Sequence, residues 1–199
     1  MPASEDSKGG RTRQRVLDAA RARFAAVGYE RATIRDIAVA ADVDKSSVMK
    51  YFGNKENLFR ECVRWEIPIG ELTTTDPASS AKNYLRAMLS AWAQEPNTPM
   101  AVLLRTSMTS ETAANLLRHH MTSASVDAIE RHIDGAHARL RAALFAAVMM
   151  GIASGRYLIK LPDLAEADLD DVIESAAPLV AALTATPPTA DGAPARTRR

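Results

Sequence analysis

The sequence contains little of what several classes of protein require. Its single cysteine, Cys62, cannot form an intramolecular disulfide, and no charged-then-apolar leader precedes the helical pattern, so we expect a reducing cytoplasm. Aromatic residues make up 5% of the 199 residues, which together with abundant alanine favours helix over sheet. The longest apolar run, residues 142–155, is too short to span a bilayer and is typical of a buried helix.

Motifs of catalysis and metal binding are also missing. There is no Gly-rich phosphate loop, no Ser/His/Asp order around a nucleophile and no recognisable carboxylate pair, so neither an enzyme nor a cofactor is expected. The spacing of the four histidines does not put three on one helical face, and Cys62 lies far from them in sequence. We interpret His119, His120, His132 and His137 as solvated or capping residues rather than metal ligands.

Charge is distributed unevenly, although the net charge is only +1. Residues 1–60 carry twelve Lys and Arg against eight Asp and Glu, a balance of +4, and residues 61–199 carry thirteen against sixteen, a balance of −3. Basic charge therefore gathers where a phosphate-binding module would need it. Residues 1–10 and 185–199 are too polar or Pro-rich to bury a core, and we expect mobile tails there, with Arg196, Arg198 and Arg199 solvated.

Hydrophobic spacing predicts a series of helices and no strand. Residues 11–27 form the first, ended by Gly28, and two short helices follow at 34–41 and 45–52. Thr33 and Asp44 are placed to cap these two with their side chains. Beyond a fourth helix starting at Lys55, the pattern predicts helices at 79–95, 100–109, 111–133 with a break near Thr122, 136–160 and 168–184.

The two short helices are joined by a turn too tight to let them pack in parallel, which indicates a helix-turn-helix. Val48 and Phe52 fall on the inner side of the second helix. Its outward residues are of the types that contact bases and phosphates: Lys45, Ser46, Ser47, Lys50 and Tyr51.

From residue 11 to residue 59 the chain resembles the DNA-binding domain of tetracycline-repressor (TetR) type regulators. The resemblance is carried by many positions at fixed spacing: Ala19-Ala20, Phe24, Gly28-Tyr29, Thr33, Ile37-Ala38, the 41–43 turn, Tyr51-Phe52, Lys55-Glu56 and Leu58. It implies that Lys45, Ser46 and Lys50 face base edges. It also implies that phosphates are held by Thr33, Ser47, Tyr51 and Lys55. The alternative interpretation is that these are only solvated polar residues on a helical bundle.

Three positions depart from the family pattern. Asp42 replaces the usual turn glycine; it can adopt a left-handed conformation less freely and adds negative charge near DNA. Met49 stands where such regulators commonly carry Tyr, so a contact is lost or becomes apolar. Asp44 replaces Ser, which keeps a capping oxygen at the cost of repulsion from phosphate.

The resemblance implies that the C-terminal helices form the dimer and often enclose an inducer pocket. The helices at 136–160 and 168–184 would pair with their copies in a second subunit, or else form only the core of one chain. Apolar residues of the middle helices would line a ligand pocket, or equally fill a core. The candidate lining residues are Met88, Trp92, Leu104, Met108, Leu117, Met121, Phe145 and Met149.

The expected protein is all-helical, with a helix-turn-helix DNA-binding domain at 11–58 and a larger dimerisation and ligand-binding domain at 59–184. We expect a homodimeric repressor that binds a pseudo-palindromic duplex operator, is released by a small hydrophobic or amphipathic inducer, and has no membrane partner. An activator or broad DNA binder using the same module is one alternative. A helical small-molecule-binding protein or enzyme without DNA function is another.

Overall fold

Helices account for all the regular structure in the computed structural model, which describes residues 8–65, 68–94 and 97–185 and contains no strand within them. The helices are α1 Lys8–Arg31, α2 Ile34–Ala40, α3 Lys45–Phe52, α4 Lys55–Cys62, α5 Ile69–Leu72, α6 Pro77–Gln94, α7 Pro99–Ser107, α8 Glu111–His120, α9 Asp127–Glu130, α10 Ala138–Ala153, α11 Pro162–Glu166 and α12 Leu169–Thr184. Two π-helical segments, Met121–Val126 and Ser154–Ile159, join α8 to α9 and extend α10. The predicted all-α fold is confirmed.

The predicted helices agree with the observed ones except at their ends. The break expected near Thr122 is the π-helical segment Met121–Val126, while the short helices α5 and α11 were not predicted. Helix α1 begins at Lys8, so the expectation of an unstructured stretch through residue 10 is wrong at its last three positions. Residues 1–7 and 186–199 of the expected tails, with Arg196, Arg198 and Arg199, lie outside the described residues.

Two hydrophobic cores organise the described chain. The first holds α1 to α4 together around Phe24, Tyr29 and Phe59, with ring centroids 4.8 Å apart for Phe24 and Phe59 and 5.0 Å apart for Tyr29 and Phe59. Phe59 lies beyond the expected domain boundary at residue 58, yet it is fully buried in this core. The second core is built mainly from α6, α10 and α12.

Helix α7 belongs to both cores. Val102 and Leu103 pack into the first core, and Met100 and Ala101 pack into the second. Thr98 caps this helix by accepting a hydrogen bond from the Ala101 N–H at 3.2 Å, and Pro99 occupies its first turn, where the missing N–H costs no hydrogen bond. A shift of α7 would therefore disturb the packing of both cores.

Helix α10 is less buried than its composition predicted. With its π-helical extension it spans Ala138–Ile159, which is long and apolar enough to cross a membrane by length and composition, and a third of it is buried. One such helix is weak evidence for a membrane, because the core helix of a soluble protein passes the same test. Within the run 142–155 expected to be a buried helix, Phe145 and Met149 are buried but Leu144 is 46% exposed, and Leu140 just before the run is 58% exposed, so a single chain covers only part of this helix.

Candidate nucleic-acid interface and ligand cavity

The turn between α2 and α3 is closed by backbone hydrogen bonds. The Asp42 N–H donates to the Val39 carbonyl at 3.1 Å, and the Val43 N–H donates to the Ala38 carbonyl at 3.0 Å. Asp42 has a φ of 52°, so it adopts the left-handed conformation expected at this position. Its carboxylate is exposed beside the start of α3.

The two predicted capping residues behave differently. Thr33 caps α2 as expected, because its Oγ1 accepts a hydrogen bond from the Asp36 N–H at 3.1 Å. Asp44 occupies the N-cap position of α3 in an extended conformation, but its side chain makes no capping hydrogen bond. The prediction that Asp44 caps through its side chain is therefore wrong, and its carboxylate is exposed instead.

Helix α3 presents a polar face to solvent and an apolar face to the first core. Val48 and Phe52 are buried, as their spacing predicted. Exposed positions are Lys45, Ser46, Met49, Lys50 and Tyr51, and Ser47 is half-buried. These six positions define what we call the α3 outer face.

The two lysines of the α3 outer face carry uncompensated charge. Neither Lys45 nor Lys50 forms an ion pair with a residue in the described ranges, whereas nearby arginines are paired. Arg60, for example, lies 2.8 Å from the Glu56 carboxylate. Lys45 and Lys50 therefore add unpaired positive charge on α3 to that of the exposed Arg35 on α2.

Lys55 is held by contacts that its sequence position did not predict. Its Nζ donates to the Glu30 carbonyl at 3.2 Å and lies 4.4 Å from the centroid of the Tyr29 ring. The Glu30 carboxylate accepts a hydrogen bond from the Ser110 hydroxyl, the N-cap of α8, at 2.8 Å. The end of α1 thus connects Lys55 to α8.

A cavity of about 290 Å³ lies within the second core. Five of the eight predicted lining residues border it: Met88, Trp92, Met121, Phe145 and Met149. The other three do not, because helical spacing identifies apolar residues without showing which neighbour they meet. Leu104 and Leu117 are partly buried against the cores, and Met108 is 76% exposed at the end of α7.

Sequence reasoning missed several residues that line this cavity, including Trp65, Tyr84, Met100, Ser125 and Met150. Tyr84 could have been found, because it precedes Met88 and Trp92 by four and eight residues on one face of α6. Its hydroxyl is hydrogen-bonded to Thr73, and burial raises its pKa above the ordinary value, so it is protonated at neutral pH. Ser125 carried no comparable signal, since serine has no preference for such a wall.

Histidines do not gather around a metal site in the described ranges, where no group of three or more His, Cys, Asp or Glu could hold an ion. The His120 ring packs against Trp65 at 4.3 Å between centroids. Cys62 is buried in the first core.

Comparison with known families matches both parts of the chain. The model for bacterial regulatory proteins of the tetR family matches residues 16–62, and that for the tetracyclin repressor-like C-terminal domain matches residues 79–183. Over 64 residues the chain is 38% identical to the HTH-type transcriptional repressor AcnR of Corynebacterium glutamicum. That alignment covers 32% of this chain and 34% of AcnR, so the chain matches about a third of the length of this curated relative.

Solved structures share the whole architecture. The TetR-family regulator SCO0857 of Streptomyces coelicolor is 27% identical, with a TM-score of 0.61 over 92% of this chain and 98% of that chain. SmeT, solved as a complex with triclosan, has a TM-score of 0.68 over 92% of this chain and 99% of its own, at 20% identity, which shows the fold alone. Because the family models account for the helix-turn-helix and for more than half of the chain beyond it, this protein belongs to the TetR family of transcriptional regulators.

Proposed function

We propose that this regulator is a cytoplasmic repressor that binds a pseudo-palindromic operator as a homodimer through the α3 outer face. The observation that carries the proposal is the placement of Lys45 and Lys50, exposed and without ion pairs to described residues, on a helix braced by buried Val48 and Phe52. Such a helix fits the major groove, where cations and hydroxyls contact base edges and phosphates. Lys45, Ser46 and Lys50 read bases.

Phosphates are assigned to the remaining polar side chains around α3: Thr33, Ser47, Tyr51 and Lys55. Thr33 uses its oxygen to accept from the backbone, which leaves its hydroxyl hydrogen to donate. The Lys55 ammonium has three donors, one of which is used on the Glu30 carbonyl. Both groups can therefore donate to an anion without losing the contacts that position them.

The homodimer is supported by an exposed apolar face on α10 and α12, two helices packed against each other in the second core. Leu140 and Leu144 of α10 and Leu179 of α12 are each more than 40% exposed. Ala143, Ala147 and Gly151 are also exposed along α10, so a partner helix could approach closely. A second copy covering this face places two α3 helices on one operator.

Two features support release by a small apolar ligand: the cavity itself and helix α7, which borders it. Met100 of α7 borders the cavity, while Leu103 of the same helix packs in the first core with α1 and α4. A ligand that displaces α7 would change how the helix-turn-helix is held, and hence the separation of the two α3 helices. SmeT, which shares this fold, was solved as a complex with triclosan, and this supports the proposal that the fold accommodates a ligand.

Fluorescence anisotropy with the protein's own promoter duplex, across a salt series, tests the proposal. Affinity should fall steeply as salt rises, because phosphate binding releases counterions. Lys50→Ala should weaken binding to the operator more than to a scrambled duplex, whereas Lys55→Ala should weaken both about equally. Lys82→Ala, which changes a lysine of α6 paired with Glu174, is the matched control. A response flat in salt, or unchanged binding by Lys45→Ala and Lys50→Ala variants, would contradict the assignment.

A further inference from the structure

Ser125 places a hydroxyl in the wall of an otherwise apolar cavity. The residue lies in the π-helical segment Met121–Val126, is 4% exposed and borders the cavity directly. Its Oγ is not one of the fully enclosed side-chain atoms that lack a partner in the described ranges, so a molecule in the cavity can reach it. The hydroxyl forms no side-chain hydrogen bond to a described residue of the kind that the neighbouring serines form.

Other serines in the π-helical segments do find partners. The Ser123 hydroxyl donates to the His119 carbonyl at 2.9 Å, and the Ser154 hydroxyl donates to the Met150 carbonyl at 2.6 Å. Both bond the carbonyl four residues earlier, which is the usual solution for serine in a helix. Ser125 does not, so its hydroxyl remains available to a molecule in the cavity.

The rest of the lining sets the chemistry of that molecule. Among the described residues that line the cavity, none is Asp, Glu, Lys, Arg or His, and the Tyr84 hydroxyl is already bonded to Thr73. Transferring an ionised ligand into a wall of these residues would cost far more than one hydroxyl returns, so this wall favours a neutral ligand. Trp65, Trp92 and Phe145 offer ring faces, and the methionines adapt to an aromatic shape.

Volume limits the size of the ligand. About 290 Å³ is at the lower end of the range for small-molecule pockets. A two-ring aromatic molecule fits this space.

We propose that Ser125 is the specificity-determining residue of the cavity and selects a neutral, two-ring aromatic ligand that carries one hydroxyl or carbonyl group. The assignment rests on the proposed function only in taking this cavity as the ligand site. Ser125 hydrogen-bonds the single polar group, and the ring faces and methionines bury the remainder.

The test compares three probes of one shape: 4-hydroxybiphenyl, biphenyl and biphenyl-4-carboxylate. The chain has two tryptophans, and both Trp65 and Trp92 line the cavity, so quenching of intrinsic fluorescence in the full-length protein reports occupancy. Ser125→Ala should weaken 4-hydroxybiphenyl about five- to tenfold, as expected for loss of one hydrogen bond, and leave biphenyl unchanged. Ser123→Ala, on the exposed side of the same π-helical segment, is the matched control and should change neither affinity.

Three results would overturn the assignment: equal effects of Ser125→Ala on the two neutral probes, binding of the carboxylate as tight as that of 4-hydroxybiphenyl, or no saturable quenching by either neutral probe. Equal thermal unfolding midpoints for the variants and the wild type exclude a folding defect. Operator anisotropy on the same samples separates this inference from the proposed function. Selective binding of 4-hydroxybiphenyl without release of the duplex would refute ligand-driven release and leave the role of Ser125 intact.

Discussion

Gly28 provides a direct test of how the end of α1 is built. Its φ of 77° and ψ of 169° fall in a region that glycine alone occupies without strain. The residues after it are Tyr29, whose ring packs against Phe24 and Phe59, and Glu30, which contacts both Lys55 and Ser110. Gly28→Ala therefore perturbs the backbone that positions these contacts while adding only one methyl group.

The size of the effect follows from the local geometry. A Cβ at position 28 would meet its nearest heavy atom, Thr109 Oγ1, at 3.9 Å, an ordinary van der Waals distance, so no steric term is added. Backbone strain of about 1–3 kcal/mol remains. Reduced entropy of the unfolded chain offsets about 0.4–1 kcal/mol of it. The expected net loss in free energy of unfolding is about 1–2 kcal/mol, which lowers Tm by roughly 2–8 °C in a protein of this size.

Urea denaturation at fixed protein concentration measures the loss. Gly70→Ala is the control, because Gly70 lies in α5 without a positive φ and a Cβ there meets no atom within 4 Å; it should be neutral or slightly stabilising. Gly28→Asn should cost as much as Gly28→Ala, since asparagine tolerates the left-handed helical region but not a ψ near 169°. A Gly28→Ala variant within 0.5 kcal/mol of wild type, or rescue by asparagine, would refute the reasoning.

Three further predictions concern the dimer, the buried thiol and the turn. Leu144→Glu should convert the proposed dimer to a monomer in multi-angle light scattering, whereas Met108→Glu, at an apolar position exposed elsewhere, should not; an unchanged mass for both would remove α10 from the interface. Burial raises the pKa of the Cys62 thiol from 9.0 to about 12. As pH rises, the thiol therefore ionises in the unfolded chain before it ionises in the folded one. The contribution of Cys62 to the free energy of unfolding is complete below pH 9 and is lost as pH rises towards 12. At pH 8 a disulfide reagent should modify the folded protein far more slowly than the urea-unfolded protein. Asp42→Asn removes a negative charge beside α3 and should tighten operator binding about twofold, more at low salt; equal affinities at every salt concentration would show that Asp42 lies beyond electrostatic reach of the phosphates.

The helix-turn-helix was largely predictable, because its determinants are local. Val48 and Phe52 lie four residues apart and are buried as that spacing required. The left-handed backbone of Asp42 followed from its place in a turn that glycine usually fills. What failed was side-chain detail: whether Asp44 caps its helix, and whether the Lys55 ammonium points to solvent or to the Tyr29 ring, depends on rotamers and neighbours from other helices.

The cavity was predictable in composition but not in geometry. Met88 and Trp92 share a face of α6, so we expect both of them to border the same cavity. Both residues line it. Met108 lies one position past the end of α7, where helical periodicity no longer applies, and it is exposed. Ser125 borders the cavity from a π-helical segment, a departure from regular helix that no spacing rule anticipates.

Helix α10 is apolar on more sides than a single chain covers. A helix that is apolar on all sides is stable only when all sides are covered, yet one protomer covers only the face that carries Phe145 and Met149. Leu140 and Leu144 remain exposed, and burying one such side chain contributes about 1.5–3 kcal/mol. In the proposed two-fold symmetric dimer, the same leucine is buried in both copies, so each position contributes two buried side chains. The apolar run therefore matches the surface that two chains would cover together, and in the proposed dimer the same association would bring two α3 helices to one operator.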